Sequence, residues 1–244
     1  MYVWPVILTN GGVLLKCFDS FNLLDLFKFV DTQWFKGLWA KMFQKQSMLW
    51  ILMLLLTGCM STPRPQNPEN ICAVFKQYPS WYKDTQDTAK RWGVPAAVQM
   101  AIIYQESSFD AEARPPKRKI LWIIPWTRPT SAYGYSQALD ATWDMYKKST
   151  HQYFVKRNSF EDATDFVGWY SEQSHRYAGI SKYDAYNLYL AYHEGWTGYT
   201  RRTYRAKPWL MMVAQKVKYR SMTYQQQLNG CVASLEQNKK WYQF

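Results

Sequence analysis

Glu106 is the residue whose type and position most directly suggest chemistry. It ends the run Ala101-Ile102-Ile103-Tyr104-Gln105-Glu106-Ser107, and Val98, Ala101, Ile102 and Gln105 recur there at helical spacing. The run opens at Pro95, a residue suited to the start of a helix. The pattern predicts a core helix whose last turn aims one acid at a cleft. A half-desolvated carboxyl there holds its proton closer to neutral pH and acts as a general acid. On the helix alone, a solvated acid at a helix end is the simpler reading.

The elements that must position this acid read as helical throughout. Pro79 to Trp92 forms a helix stopped at Gly93, and Pro95 to Ser107 is the core helix. Asp140 is expected to cap a helix from Ala141 to Lys148, and Ser159 another to Tyr177, stopped by Ala178-Gly179. Ser181, with Asp184 three residues on, starts a third that runs to Gly195. Pro208 opens the last, with Leu210, Val213, Ala214 and Val217 on one face. Residues 110–133 interrupt the pattern with Pro115-Pro116, Lys117-Arg118-Lys119, the apolar run Ile120 to Ile124, Pro125 and Pro129. They read as a loop or short β-hairpin inserted after the acid.

With 48% hydrophobic and 18% aromatic residues in 244, the chain has ample material for a packed core. A formal net charge of +12 points to an anionic neighbour: nucleic acid, a membrane surface or a carboxylate-bearing polymer. The basic residues are scattered and no nucleic-acid-binding motif appears, so nucleic acid is not the expected partner. Cys17, Cys59, Cys72 and Cys231 show no metal-ligand spacing, and no metal or cofactor is expected. Cys72 and Cys231 sit near the two ends of the folded part, as a disulfide if that part is exported or as two buried thiols.

Lys45, the apolar run Met48 to Leu56, and Thr57-Gly58 before Cys59 describe a secretory signal peptide over 42–58. Leu56-Thr57-Gly58-Cys59 resembles the bacterial lipobox, whose Cys becomes the lipidated first residue. Translation is then expected to start at Met42 or Met48, with residues 1–41 an extension outside the working protein. Proline-rich residues 59–70 read as an extended tether, residues 71–230 as one domain, and 231–244 as a C-terminal tail.

Three short motifs stand in order on this chain: Glu106-Ser107, Gly134-Tyr135-Ser136-Gln137 and Ala191-Tyr192-His193. Together they resemble the signatures Glu-Ser, Gly-Leu-Met-Gln and Ala-Tyr-Asn of the family-1 lytic transglycosylases, the SLT domains of the lysozyme superfamily (glycoside hydrolase family 23-like). The resemblance covers about residues 71–220. It implies a mainly α, lysozyme-like single domain acting on peptidoglycan glycan strands, in a lipoprotein held to the membrane, by the outer-membrane face of the periplasm. It implies that Glu106 is the lone catalytic acid and base, cleaving the bond between N-acetylmuramic acid and N-acetylglucosamine to leave a 1,6-anhydro end. It further implies that Gln137 contacts substrate, that Gly134 lets the backbone approach the sugar, that Tyr192 holds the acid in place, and that Ser107 orders the helix end. Tyr135 and Ser136 replace Leu-Met, and His193 replaces Asn, so these positions bear on fine substrate contacts. The aromatics Tyr133, Tyr135, Trp196 and Tyr199 suit stacking on sugars as well as a core. Glu194 is a second carboxylate which, across the sugar from Glu106, would permit hydrolysis. The alternative readings are therefore a hydrolase similar to goose-type lysozymes and a non-catalytic peptidoglycan-binding envelope lipoprotein.

Overall fold

The computed structural model describes residues 62–117, 119–120, 124–125 and 128–239. The signal-peptide and lipobox readings, Cys59 and residues 1–41 lie outside the described residues. The described elements are α1 (Ile71–Gln77), α2 (Pro79–Trp92), α3 (Ala96–Ser107), β1 (Lys119–Ile120), β2 (Ile124–Pro125), α4 (Asp140–Thr150), α5 (Phe160–Ala178), α6 (Ala185–Thr200), a 3-10 turn (Thr203–Ala206) and α7 (Pro208–Lys239). The strands pair antiparallel, Lys119 opposite Pro125 and Ile120 opposite Ile124. This hairpin is the β structure of the insertion after Glu106. No helix among the described residues is long and apolar enough to cross a membrane.

Helix α3 is the centre of the fold. Every residue from Ala96 to Ile103 is buried, because α2, α5, α6 and α7 all pack against it. A helix that is apolar all round belongs in a core rather than on a surface. Its one buried amide, Gln99, donates to the carbonyls of Thr85 at 3.1 Å and Val94 at 2.8 Å, which ties α3 to α2 and the turn between them.

Helix α7 packs along α3, α6 and α1 through a stripe that steps alternately by four and three. Leu210, Ala214, Val217, Ser221, Tyr224, Leu228 and Leu235 on it are buried, and Cys231 fills the remaining slot in a disulfide to Cys72. The stripe keeps one seam against the core along the whole helix. Where α2 crosses α5, a side chain at Gly168 would place its Cβ 2.5 Å from Thr88 Cγ2 and 2.6 Å from Trp92 Cδ1. Glycine there permits the close approach of the two helices.

Several boundaries differ from the sequence expectation. Residues 231–239 are not a tail but the end of α7: Leu235 is buried, and Tyr82 donates to Glu236 at 2.6 Å. Asp140 is the first residue of α4 and caps nothing; the N-cap is Leu139, and the Asp140 carboxylate pairs with Arg157 at 2.8 Å. Asp184, not Ser181, caps α6 by accepting from Asn187 N at 3.1 Å, while Ser181 Oγ holds the preceding turn.

The larger difference concerns the expected tether. From Thr62 to Asn70 the chain is a strap bound to the domain. Tyr78 donates to Pro63 O at 2.7 Å, Arg64 pairs with Asp110, and Pro65 is buried. Gln66 N donates to Gln77 at 3.0 Å, and Tyr224 donates to Pro68 O. Glu69 accepts from Tyr104 at 2.8 Å and from Arg220, whose guanidinium lies 3.6 Å over the Tyr104 ring. Proline composition predicted an extended chain; the strap instead bends at Gln66 and turns at Pro68-Glu69, where Asn70 N donates to Asn67 O at 3.3 Å, and its carbonyls and carboxylate have fixed partners.

The disulfide closes a loop spanning 159 residues. Replacing Cys72 and Cys231 together by serine is expected to lower unfolding stability by roughly 2–5 kcal/mol. Urea titration of the oxidised wild type against the double variant measures it.

Candidate active site

Glu106 lies in the last turn of α3, where the chain leaves the helix through two left-handed residues, Ser108 (φ 52°) and Phe109 (φ 61°). Phe109 is fully buried, so the chain reverses into the core rather than out of it. Ser107 Oγ donates to Ile103 O at 3.1 Å and orders this helix end. Glu106 itself is partly exposed, but its carboxyl is set in dense protein, and burial pushes its pKa up to about 7. Tyr189 opposes that shift by hydrogen bonding to the carboxylate.

Helix α6 supplies the aromatic wall. Tyr189 and Tyr192 are three residues apart and share one face of the helix. Burial raises both phenols, and the charge of Glu106 raises them further, so both stay protonated donors. The Tyr192 hydroxyl donates to Ser136 O at 2.6 Å, and its ring packs edge-on against Tyr170 at 5.0 Å. Tyr192 therefore joins the third motif to the second beside Glu106. The role expected of Tyr192, holding the acid by hydrogen bond, falls to Tyr189. Sequence reasoning missed Tyr189, although its place one turn before Tyr192 was a usable signal.

The second motif is a turn held by its own backbone. Gly134 (φ 75°) is the one residue type that fits there, since a Cβ would lie 2.1 Å from Arg157 O. That carbonyl also accepts from Tyr135 N at 3.2 Å. The glycine thus serves the close backbone packing of this turn. Tyr135, expected at the substrate, is 1% exposed, with its ring edge-on to Trp81 at 5.6 Å and Phe160 at 5.3 Å. It is a core residue, because the position takes an apolar side chain. Ser136 is fully buried, and its Oγ has no hydrogen-bond partner. Gln137, in a left-handed conformation (φ 49°), donates through Nε2 to Ala113 O at 2.9 Å and Gly134 O at 2.8 Å. Both amide hydrogens are engaged, which leaves Oε1 as the atom able to accept from a ligand.

His193 is exposed, with Nδ1 3.0 Å from Glu194 Oε1 and its ring edge-on to Trp209 at 5.2 Å. Lys207 binds Glu194 at 2.7 Å, and Thr203 donates to it. These partners overcome burial and hold its pKa at about 2. Glu194 is a fixed anion that clips the 3-10 turn and the start of α7 to α6, next to the kink at Gly195 (φ 72°, ψ 164°). Tyr133 donates to Glu112 at 2.6 Å, Trp196 to Ser174 at 3.2 Å, and Tyr199 stacks on Tyr204 at 5.5 Å, so all three half-buried rings have partners within the chain. Among the described residues no group of three His, Cys, Asp or Glu side chains is placed to hold a metal ion.

The structure thus gathers Glu106, Tyr189, Tyr192 and the Ser136 backbone around the end of the central helix, with Gln137 the next residue along the second-motif turn, while His193 and Glu194 contact each other, Lys207, Thr203 and Trp209. No curated protein matches the chain. The model of the family described as "Transglycosylase SLT domain" matches residues 47–231, which include every residue of this constellation, and the chain belongs to that family.

Proposed function

We propose that the chain is a lipid-anchored lytic transglycosylase that cleaves the β-1,4 bond between N-acetylmuramic acid and N-acetylglucosamine, with Glu106 as acid and then base. The observation that carries this reading is the state of Glu106. It is a carboxyl whose pKa lies at about 7, set by burial and by one phenol donor, with no cation and no second carboxylate among the influences on its proton.

The protonated carboxyl gives its proton to the glycosidic oxygen as the C1–O bond breaks. The substrate's acetamido group steadies the cation left at C1. The Glu106 carboxylate, stabilised meanwhile by the Tyr189 hydrogen bond, then takes the proton of the 6-hydroxyl as that oxygen closes on C1. The enzyme ends with its proton restored, and water is neither consumed nor released. An internal hydroxyl attacks at high effective concentration, so the second carboxylate of a hydrolase is not required. Gln137 Oε1 is suited to accept from an acetamido N–H or a sugar hydroxyl. The net charge of +12 suits a polymer bearing peptide carboxylates. The lipobox-like Leu56-Thr57-Gly58-Cys59 supports acylation at Cys59, Met60 after it resembles outer-membrane sorting, and the family match itself opens at residue 47.

Glu106→Gln is expected to lower kcat by roughly 10²–10⁴. Mass analysis of digested peptidoglycan should show 1,6-anhydro ends, and reducing ends alone would identify a hydrolase. Because Glu106 must enter protonated, kcat/KM should fall as pH rises through about 7. Tyr189→Phe removes the donor to the carboxylate and should move that alkaline limb upward, whereas Tyr192→Phe should leave it in place.

The same shift makes stability depend on pH. The unfolded chain releases this proton near 4.5 and the folded one near about 7. The folded state therefore binds more protons between those values, and stability from this group falls as pH rises through them. The Tm of Glu106→Gln relative to wild type should accordingly be higher at pH 8 than at pH 4.

A further inference from the structure

The strap and the lipobox-like cysteine together fix how far the domain can stand from its anchor. We infer that the face carrying the start of the strap lies against an anionic lipid surface, and that the spacer from Cys59 to Ser61 holds it there. The inference rests on acylation at Cys59, as proposed above. Composition suggested a leash over residues 59–70, but the chain is bound to the domain from its first described residue. The Thr62 side chain hydrogen bonds to the Tyr135 hydroxyl, Tyr78 holds Pro63 O at 2.7 Å, Arg64 pairs with Asp110, and Pro65 is buried. Only three peptide steps separate Cys59 from Thr62, and they span at most about 11 Å.

The charge around the strap's start fits such a surface. Asp110 and Ala113 lead into the insertion, and Gly134 N donates to Ala113 O at 3.0 Å where the chain returns from it. At the two roots of the insertion, Arg114, Lys117 and Arg128 are exposed. The acids beside them have partners: Arg64 binds Asp110, and Tyr133 and Asn158 bind Glu112. Among the described residues, Arg64, Arg114, Lys117 and Arg128 outnumber Asp110 and Glu112 there, and a net positive charge is what anionic headgroups favour. Asp110 is four residues from Glu106, so the cleaved bond lies on the order of 30 Å or less from the lipid. The enzyme would act on the glycan layer nearest its own membrane.

The test uses the full chain in vesicles of phosphatidylethanolamine and phosphatidylglycerol, with a dye at position 76 introduced as an unnatural amino acid and an acceptor dye on the lipid headgroups. Lys76 is exposed and adjoins Gln77 and Tyr78, which hold the strap. A second version carries twenty Gly-Ser residues between Ser61 and Thr62, enough to add a root-mean-square reach of about 25 Å. Strong energy transfer in the native chain that falls about twofold or more with the insertion is the expected result. Acylated protein with equally weak transfer in both versions would overturn the inference, because the domain would stand away from the lipid. Equally strong transfer in both would overturn it as well, since the spacer would not be what holds the domain down. Intact mass separates these outcomes from a failure of the acylation reading, in which Cys59 carries no lipid and both proposals fall together.

Discussion

Desolvation of one carboxyl at the end of a fully buried helix is the constraint from which the rest of the site follows. Moving a glutamate from 4.5 to about 7 disfavours its charged form by about 3 kcal/mol, and only an apolar framework with packing to spare sustains that. Helix α3 provides it by being buried on every side, with Ala96, Ala97 and Ala101 letting the surrounding helices come close. The two phenols of α6 complete the surround. Both are neutral at working pH, so Tyr189 donates to the carboxylate without fixing it in the charged form as a lysine or arginine would.

This arrangement also decides how the many aromatics are used. Trp81 and Phe160 stack at 3.9 Å, and Tyr135 meets both edge-on, which anchors the second motif in the core. Asp165 accepts from Trp92 at 2.7 Å and Tyr146 at 2.6 Å and pairs with Arg91 at 3.0 Å, so α2, α4 and α5 meet on one satisfied carboxylate. Asp165 thus has three donors, Trp92, Tyr146 and Arg91, where the carboxyl of Glu106 has one, Tyr189.

The helices were legible in the sequence because proline and glycine punctuate them: Pro79 and Gly93 bound α2, Gly179 ends α5, and Pro208 opens α7. Glu106 and Gln137 were singled out by motif order, and the structure joins the second motif to the surroundings of Glu106 through the Tyr192 hydrogen bond to Ser136 O. What was hidden depended on contacts distant in sequence. Tyr189 looks like any core aromatic until α6 is docked on α3. The strap reads as a leash because its partners, Tyr78, Asp110, Tyr224 and Arg220, lie up to about 160 residues away and no local pattern announces them. The end of α7 was cut short at Cys231 because its polar sequence hides a single buried residue, Leu235, and a disulfide that only the packed stripe aligns.

Glu194 is the residue on which a hydrolytic reading would have to stand. A pair of carboxyls at about 7 and about 2 has the divergence expected of an acid and a nucleophile in a retaining glycosidase. For that role the two groups must face each other across roughly 5 Å, or up to about 9 Å with a water between. At such a separation in a poorly solvated cleft, the Glu194 anion would raise Glu106 further. Burial accounts for the raised pKa of Glu106, with Tyr189 as its donor. Glu194 instead faces Lys207, Thr203 and His193, and those contacts account for its low pKa without reference to a substrate. Its low pKa follows from clipping Thr203 and Lys207 to α6, in keeping with the proposed reading of Glu106 as a lone acid.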